Sequence, residues 1–170
     1  MRILVTAASR HGSTMEMASA IGTALQEAGI QADVKPLHEL GGVAGFNAVV
    51  LGSSVYMGRW LPEAADFVRR HEIELRARPV WLFSSGPIGS PEPKPEGEPA
   101  NIDEMVASVR ARGHRVFAGR LDRSQLGLGE KLIVGAVKAQ DGDFRDWDAV
   151  RAWALEIATA VNSVRAAIAS

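Results

Sequence analysis

The 170-residue chain is 46% hydrophobic and 23% charged, carries a net charge of −1 and has no cysteine. Such totals describe one globular domain, residues 1–170, large enough to bury about 70% of its unfolded surface. They exclude disulfides, thiolate metal sites, thiol redox chemistry and cysteine-loop phosphatases, and with no basic run nothing favours nucleic acid.

The first strand, Ile3-Leu4-Val5, runs into Thr6-Ala7-Ala8-Ser9-Arg10-His11-Gly12-Ser13-Thr14, and a helical pattern begins at Met15. The N–H groups of a helix's first turn lack intrahelical partners, and its dipole places roughly half a positive charge there. Ser9, Ser13 and Thr14 add hydroxyls, and Gly12 lets the backbone approach a ligand closely. One Ser or Thr at this point would be a helix cap. Three hydroxyls and a glycine within six residues exceed what a cap needs, so the stretch reads as a phosphate cradle. Neither G-x-G-x-x-G nor a Walker lysine follows Val5, which removes the dinucleotide and ATPase loops.

Met15 to Ala28 reads as a helix with Met17, Ala18, Ile21 and Leu25 on one stripe, stopped by Gly29. A second strand spans Gln31 to Pro36, and Gly41, Gly42 and Gly45 mark a loop. Ala48 to Gly52 is a continuous apolar run of the kind buried on both faces of a parallel sheet. It leads into Ser53-Ser54-Val55-Tyr56-Met57-Gly58-Arg59-Trp60, and Pro62 opens a helix with Leu61, Ala65 and Val68 on one face. A fourth strand, Val80 to Phe83, enters Ser84-Ser85-Gly86-Pro87. Three strand ends thus finish in small polar residues, and in an open α/β sheet those ends face the ligand crevice.

Five of the eight prolines fall between Gly86 and Ala100, giving an extended loop that can act as a lid. A helix over Ile102 to Arg112 is expected to end at Gly113, with a fifth strand at Val116-Phe117-Ala118-Gly119. The apolar segment 126–137 is expected either to pack on the domain's own surface or to make partner, homodimer or membrane-surface contact. The last helix is expected to bury Trp147, Val150, Ala154, Ile157, Val161 and Val164. No apolar run approaches the roughly 18 residues of a membrane span, and no charged-then-apolar leader precedes the first strand; the expectation is a soluble, cytoplasmic protein.

Ser9-Arg10-His11-Gly12-Ser13-Thr14 resembles the flavodoxin phosphate loop T/S-x-T-G-x-T, with His11 replacing a hydroxyl residue. In that form it is similar to the loop of flavodoxin-like protoporphyrinogen oxidases that reduce quinones. Gly52 to Gly58 resembles the ring-binding turn of the same group, and Phe117 to Leu121 and Arg145-Asp146-Trp147 resemble further segments of it. The insertion of that group is longer and more basic than 126–137 here. The resemblance implies a three-layer α/β sandwich on a five-stranded parallel sheet of order 2-1-3-4-5. It implies FMN as cofactor, although a deazaflavin would suit the same crevice.

The expected cofactor residues are Ser9, Arg10, His11, Gly12, Ser13 and Thr14 at the phosphate, and Ser53, Ser54, Val55, Tyr56, Met57 and Gly58 at the ring. Ser84, Ser85, Gly86 and Pro87 are expected at its polar edge. Tyr56, Met57 and Trp60 are candidates to lie against the ring, with core aromatics as the competing reading for Tyr56 and Trp60. Arg10 and Arg59 are candidates for an anionic substrate. No catalytic acid, base or nucleophile is required, because the cofactor carries the chemistry. The four histidines are scattered, so no metal site is expected, and Asp143, Asp146 and Asp148 read as capping and dipole residues. The function expected is an FMN-dependent oxidoreductase linking a redox partner or small substrate, a porphyrinogen or quinone among them, to a quinone-type acceptor. The alternatives are a non-catalytic electron carrier and a scaffold of the same fold without flavin.

Overall fold

The computed structural model describes residues 1–86, 99, 101–122, 124 and 142–169. Five parallel strands form the sheet: β1 (Arg2–Ala8), β2 (Gln31–Pro36), β3 (Ala48–Tyr56), β5 (Val80–Ser85) and β6 (Gly113–Phe117). Their order is β2-β1-β3-β5-β6, and a short strand β4 (Arg59–Trp60) folds back antiparallel onto the end of β3. Counting the parallel strands alone, this is the expected order 2-1-3-4-5. β4 makes a hairpin of the stretch after Ser54, where small polar residues predict a loop.

Alternation along each strand divides the core in two. Ile3, Val5, Ala48, Val50, Trp81 and Phe83 face α1 (Ser13–Glu27) and the C-terminal helix α5 (Trp147–Ala169). Leu4, Val49, Leu51, Val80 and Leu82 face α2 (Pro62–Arg70), α3 (Glu72–Arg76) and α4 (Ile102–Val109). The central strands are buried on both sides, which accounts for their unbroken apolar runs. Phe83, Phe117 and Trp153 meet edge to face, with centroids 5.7–6.3 Å apart. Trp153 is buried there while Trp147 remains 40% exposed, a correction to the expected core face of the last helix.

The two ordinary helix stops differ in chemistry. After α1, Gly29 takes φ 79°, its N–H reaches the Gln26 carbonyl, and the Ile30 N–H reaches Leu25. After α4 the same pair of bonds forms at Arg110 and Ala111, with Arg110 held at φ 52°. The helix therefore ends before Arg110, and Gly113 opens β6 instead of stopping α4. A left-handed conformation costs a non-glycine residue about 1–2 kcal/mol, partly offset by glycine's greater freedom when unfolded. Arg110→Gly is expected to raise stability by about 0.5 kcal/mol, read as a melting temperature higher by roughly 1–2 °C.

Candidate functional site

Strand register brings the three polar strand ends to one level. Ala8 of β1 lies beside Ser53 of β3, which lies beside Ser84 of β5; one step on, Ser54 pairs with Ser85, and Ser85 with Phe117 of β6. The loops leaving β1, β3 and β5 consequently emerge on the same edge of the sheet. The Ser54 hydroxyl stitches two of them together: it accepts from the Arg10 N–H at 3.4 Å and donates to the Ala8 carbonyl at 3.4 Å.

Within the first loop, Gly12 precedes α1 at φ 81°, and a Cβ added there would meet nothing within 4 Å. Its left-handed backbone turns the chain sharply into the helix without a side chain over the entrance. The helix begins at Ser13, two residues before the apolar period becomes visible. Ser9 accepts from the Thr14 N–H at 3.2 Å, which leaves other first-turn amides for a ligand. The Ser13 hydroxyl is buried and has no hydrogen-bond partner among the described residues. His11 and Gly12 are exposed, and Thr14 is buried. A buried hydroxyl of this kind lacks an acceptor.

The second loop is a hairpin turn. Tyr56 pairs with Arg59 across it, and the two central residues, Met57 at φ 51° and Gly58 at φ 71°, both lie in the left-handed region. Positive φ at both positions is the type I′ geometry that matches strand twist. Met57 is 76% exposed at the tip. Tyr56 is half-buried, with the Arg10 guanidinium carbon 4.6 Å from its ring centroid, so the turn and the first loop touch. Trp60 is in the core instead: its Nε1–H donates to the Ser84 hydroxyl at 2.7 Å.

The Ser53 hydroxyl accepts from the Leu61 N–H at 3.0 Å, and the Ser84 hydroxyl also meets His114 Nε2 at 2.8 Å. Both side chains hold the loops in place, and the backbones of Ser53 and Ser84 lie within the sheet ladder. Gly86, at φ 95°, donates its N–H to Phe117 and packs against Gly119, whose added Cβ would lie 3.4 Å from the Gly86 backbone. Pro87 and the segment 126–137 lie outside the described residues.

Two segments distant in sequence, 120–121 and 142–145, come together beside the first loop. Arg120 of β7 (Arg120–Leu121) pairs across a two-residue ribbon with Asp143 of β8 (Gly142–Asp143). Arg145 then returns to α1: Nη1 donates to Glu16 Oε2 at 2.6 Å and to the Ser13 carbonyl at 3.5 Å. Its Nε donates to Asp143 Oδ1 at 2.7 Å and its Nη2 to Asp143 Oδ2 at 2.5 Å. Asp146 acts as a cap, accepting from the Ala149 N–H at 2.9 Å, and Asp148 lies in the first turn of α5 at its dipole's positive end, while Asp143 pairs with Arg145.

The Arg145 hydrogen bonds hold the Asp143 carboxyl below its ordinary value, and Asp143 in turn raises Arg145. A depressed folded pKa adds stability above the unfolded value of about 3.9, and this is lost as pH falls through the folded value. Asp143→Asn is therefore expected to melt below the wild type at pH 7, with the gap closing at acid pH in paired melting curves. Among the described residues no group of three or more His, Asp or Glu is placed to hold a metal, and no helix is long and apolar enough to cross a membrane.

A doubly wound parallel sheet whose strand order reverses beside the turn after β1 defines an α/β protein of the class that binds its ligands at such a switch point. Residues 4–148 match the flavodoxin domain family, and the chain belongs to that family. Flavodoxins are FMN-binding flavoproteins with redox roles. The chain is 26% identical to protoporphyrinogen IX dehydrogenase (quinone) of Escherichia coli K12, over 93% of this chain and 95% of that one. Its fold superposes on a flavodoxin from the domain Archaea with a TM-score of 0.64 at 17% identity, covering 95% and 99% of the two chains. On rubredoxin oxygen:oxidoreductase of Desulfovibrio gigas the TM-score is 0.66 at 13% identity, over 95% of this chain and 36% of that one.

Proposed function

We propose that this chain is an FMN-dependent oxidoreductase that passes electrons from a reduced partner or small substrate to a quinone-type acceptor. The observation that carries the reading is the Ser13 hydroxyl, buried and without a partner among the described residues, beside the open Gly12 turn, at the level where β1 and β5 end alongside Ser53 and Ser54 of β3. In this reading Ser9, Arg10, His11, Gly12, Ser13 and Thr14 hold the phosphate. Ser54, Val55, Tyr56, Met57 and Gly58 lie along the ring, while Ser53 and Ser84 fix the loops and Ser85 and Gly86 meet its polar edge. When bound, FMN supplies the electron-transfer chemistry, and the chain binds it, orients it and shields it from water.

Quinone as acceptor, and a porphyrinogen among the donors, are supported by the name of the Escherichia coli relative. A net charge of −1 also suits an enzyme acting on small molecules better than a strongly acidic carrier that docks basic partners. The structural likeness to an archaeal flavodoxin supports the alternative, a carrier working between proteins.

Titrating FMN into apoprotein, with mass analysis of any chromophore released on purification, tests the cofactor; no binding heat overturns the reading. Quinones and porphyrinogens are then screened with no partner protein present. Turnover supports the enzyme, and tight FMN binding without turnover supports the carrier.

A further inference from the structure

We propose that Arg145 is a positioning residue for the phosphate cradle. By tying down the one carboxylate in the first turn of α1, it keeps that turn able to accept an anion. This rests on the FMN reading above. Glu16 is the acidic residue of that turn. A full negative charge there outweighs the roughly half positive charge that the helix end offers an incoming phosphate. Arg145 meets this carboxylate at 2.6 Å, and Arg120 stands 4.0 Å from its other oxygen. The same guanidinium donates to the backbone carbonyl of Ser13, the residue whose hydroxyl awaits a partner.

The geometry assigns Arg145 an indirect role. Its side chain is only 3% exposed, and its bonds to Glu16, Ser13 and Asp143 occupy four of its five N–H groups. The Trp147 ring lies 4.5 Å from the guanidinium carbon, which accounts for an aromatic left at the surface. A guanidinium engaged in this way acts through Glu16 and Ser13. The β7–β8 ribbon supplies its anchor, Asp143, so a ribbon remote in sequence sets the charge of the loop after β1.

The test compares FMN with riboflavin, which lacks the phosphate, by titration into wild type, Arg145→Gln, Arg145→Lys and the double variant Glu16→Gln with Arg145→Gln. Arg145→Gln is expected to raise the FMN dissociation constant about tenfold while moving that of riboflavin less than about twofold. Neutralising Glu16 in the same background is expected to recover most of the loss, and Arg145→Lys to retain part of the wild-type affinity. An equal loss for FMN and riboflavin, or a double variant no better than Arg145→Gln, overturns the role. If Arg145→Gln does not fold, the FMN-to-riboflavin ratio in Arg145→Lys decides: a ratio unchanged from wild type overturns it. Wild-type protein that takes up no FMN overturns the cofactor reading as well, whereas tight wild-type binding with an unresponsive Arg145→Gln overturns this role alone.

Discussion

Ser13→Ala is expected to weaken FMN binding by about 10- to 100-fold while leaving the apoprotein as stable as before, or slightly more so. The opposed signs follow from one atom. The Ser13 hydroxyl is buried without a partner among the described residues, so the apoprotein bears its desolvation cost and gains no bond. Removing such a group relieves a penalty of about 1 kcal/mol. A hydrogen bond to a charged phosphate oxygen is worth about 1.5–3 kcal/mol, which sets the expected loss of affinity. FMN titration calorimetry and apoprotein melting curves, run on the same preparations, check both halves. Riboflavin affinity should hardly move. A variant with lower stability and unchanged FMN affinity would instead make the hydroxyl a structural group.

Gly52→Ala is the substitution expected to damage the fold most. Gly52 sits in β3 between β1 and β5, and a Cβ added there would lie 2.1 Å from the Phe83 ring. Phe83 is fully buried and held by Phe117 and Trp153, so its ring has nowhere to swing. Overpacking of this kind costs about 3 kcal/mol, the upper end of its usual range, or roughly 6–12 °C in melting temperature for a chain of this size. Because Gly52 immediately precedes the Ser53 and Ser54 that position two site loops, FMN affinity should fall with stability. Gly41→Ala, where the new methyl group meets nothing within 4 Å, is the control and should melt with the wild type.

One short connection and one helix show where local pattern fails to decide structure. Ser53 to Tyr56 has the composition of a loop, yet β3 continues through it because Ser53 and Ser54 pair with Ser84 and Ser85 of β5 and β4 returns to pair with Val55 and Tyr56. The return needs a two-residue turn with Met57 in a left-handed conformation, one that the local sequence disfavours and the hairpin imposes. Likewise, Trp147 and Trp153 are both large apolar residues on one helix. Trp153 is buried because Phe83 and Phe117 lie opposite it, and Trp147 covers Arg145 at the surface.

The sequence by itself determined the strands, the helices and their alternation, because strand burial and helix period are written in residues close together along the chain; the parallel order came through the resemblance to the flavodoxin family, and register joined the strands in it. Tertiary structure alone decided what surrounds the cradle. Glu16 and Arg145 are separated by 129 positions, and Ser84 meets Trp60 and His114 across 24 and 30. No local period encodes such contacts; they arise only when strand register and helix packing bring distant side chains to the same edge of the sheet.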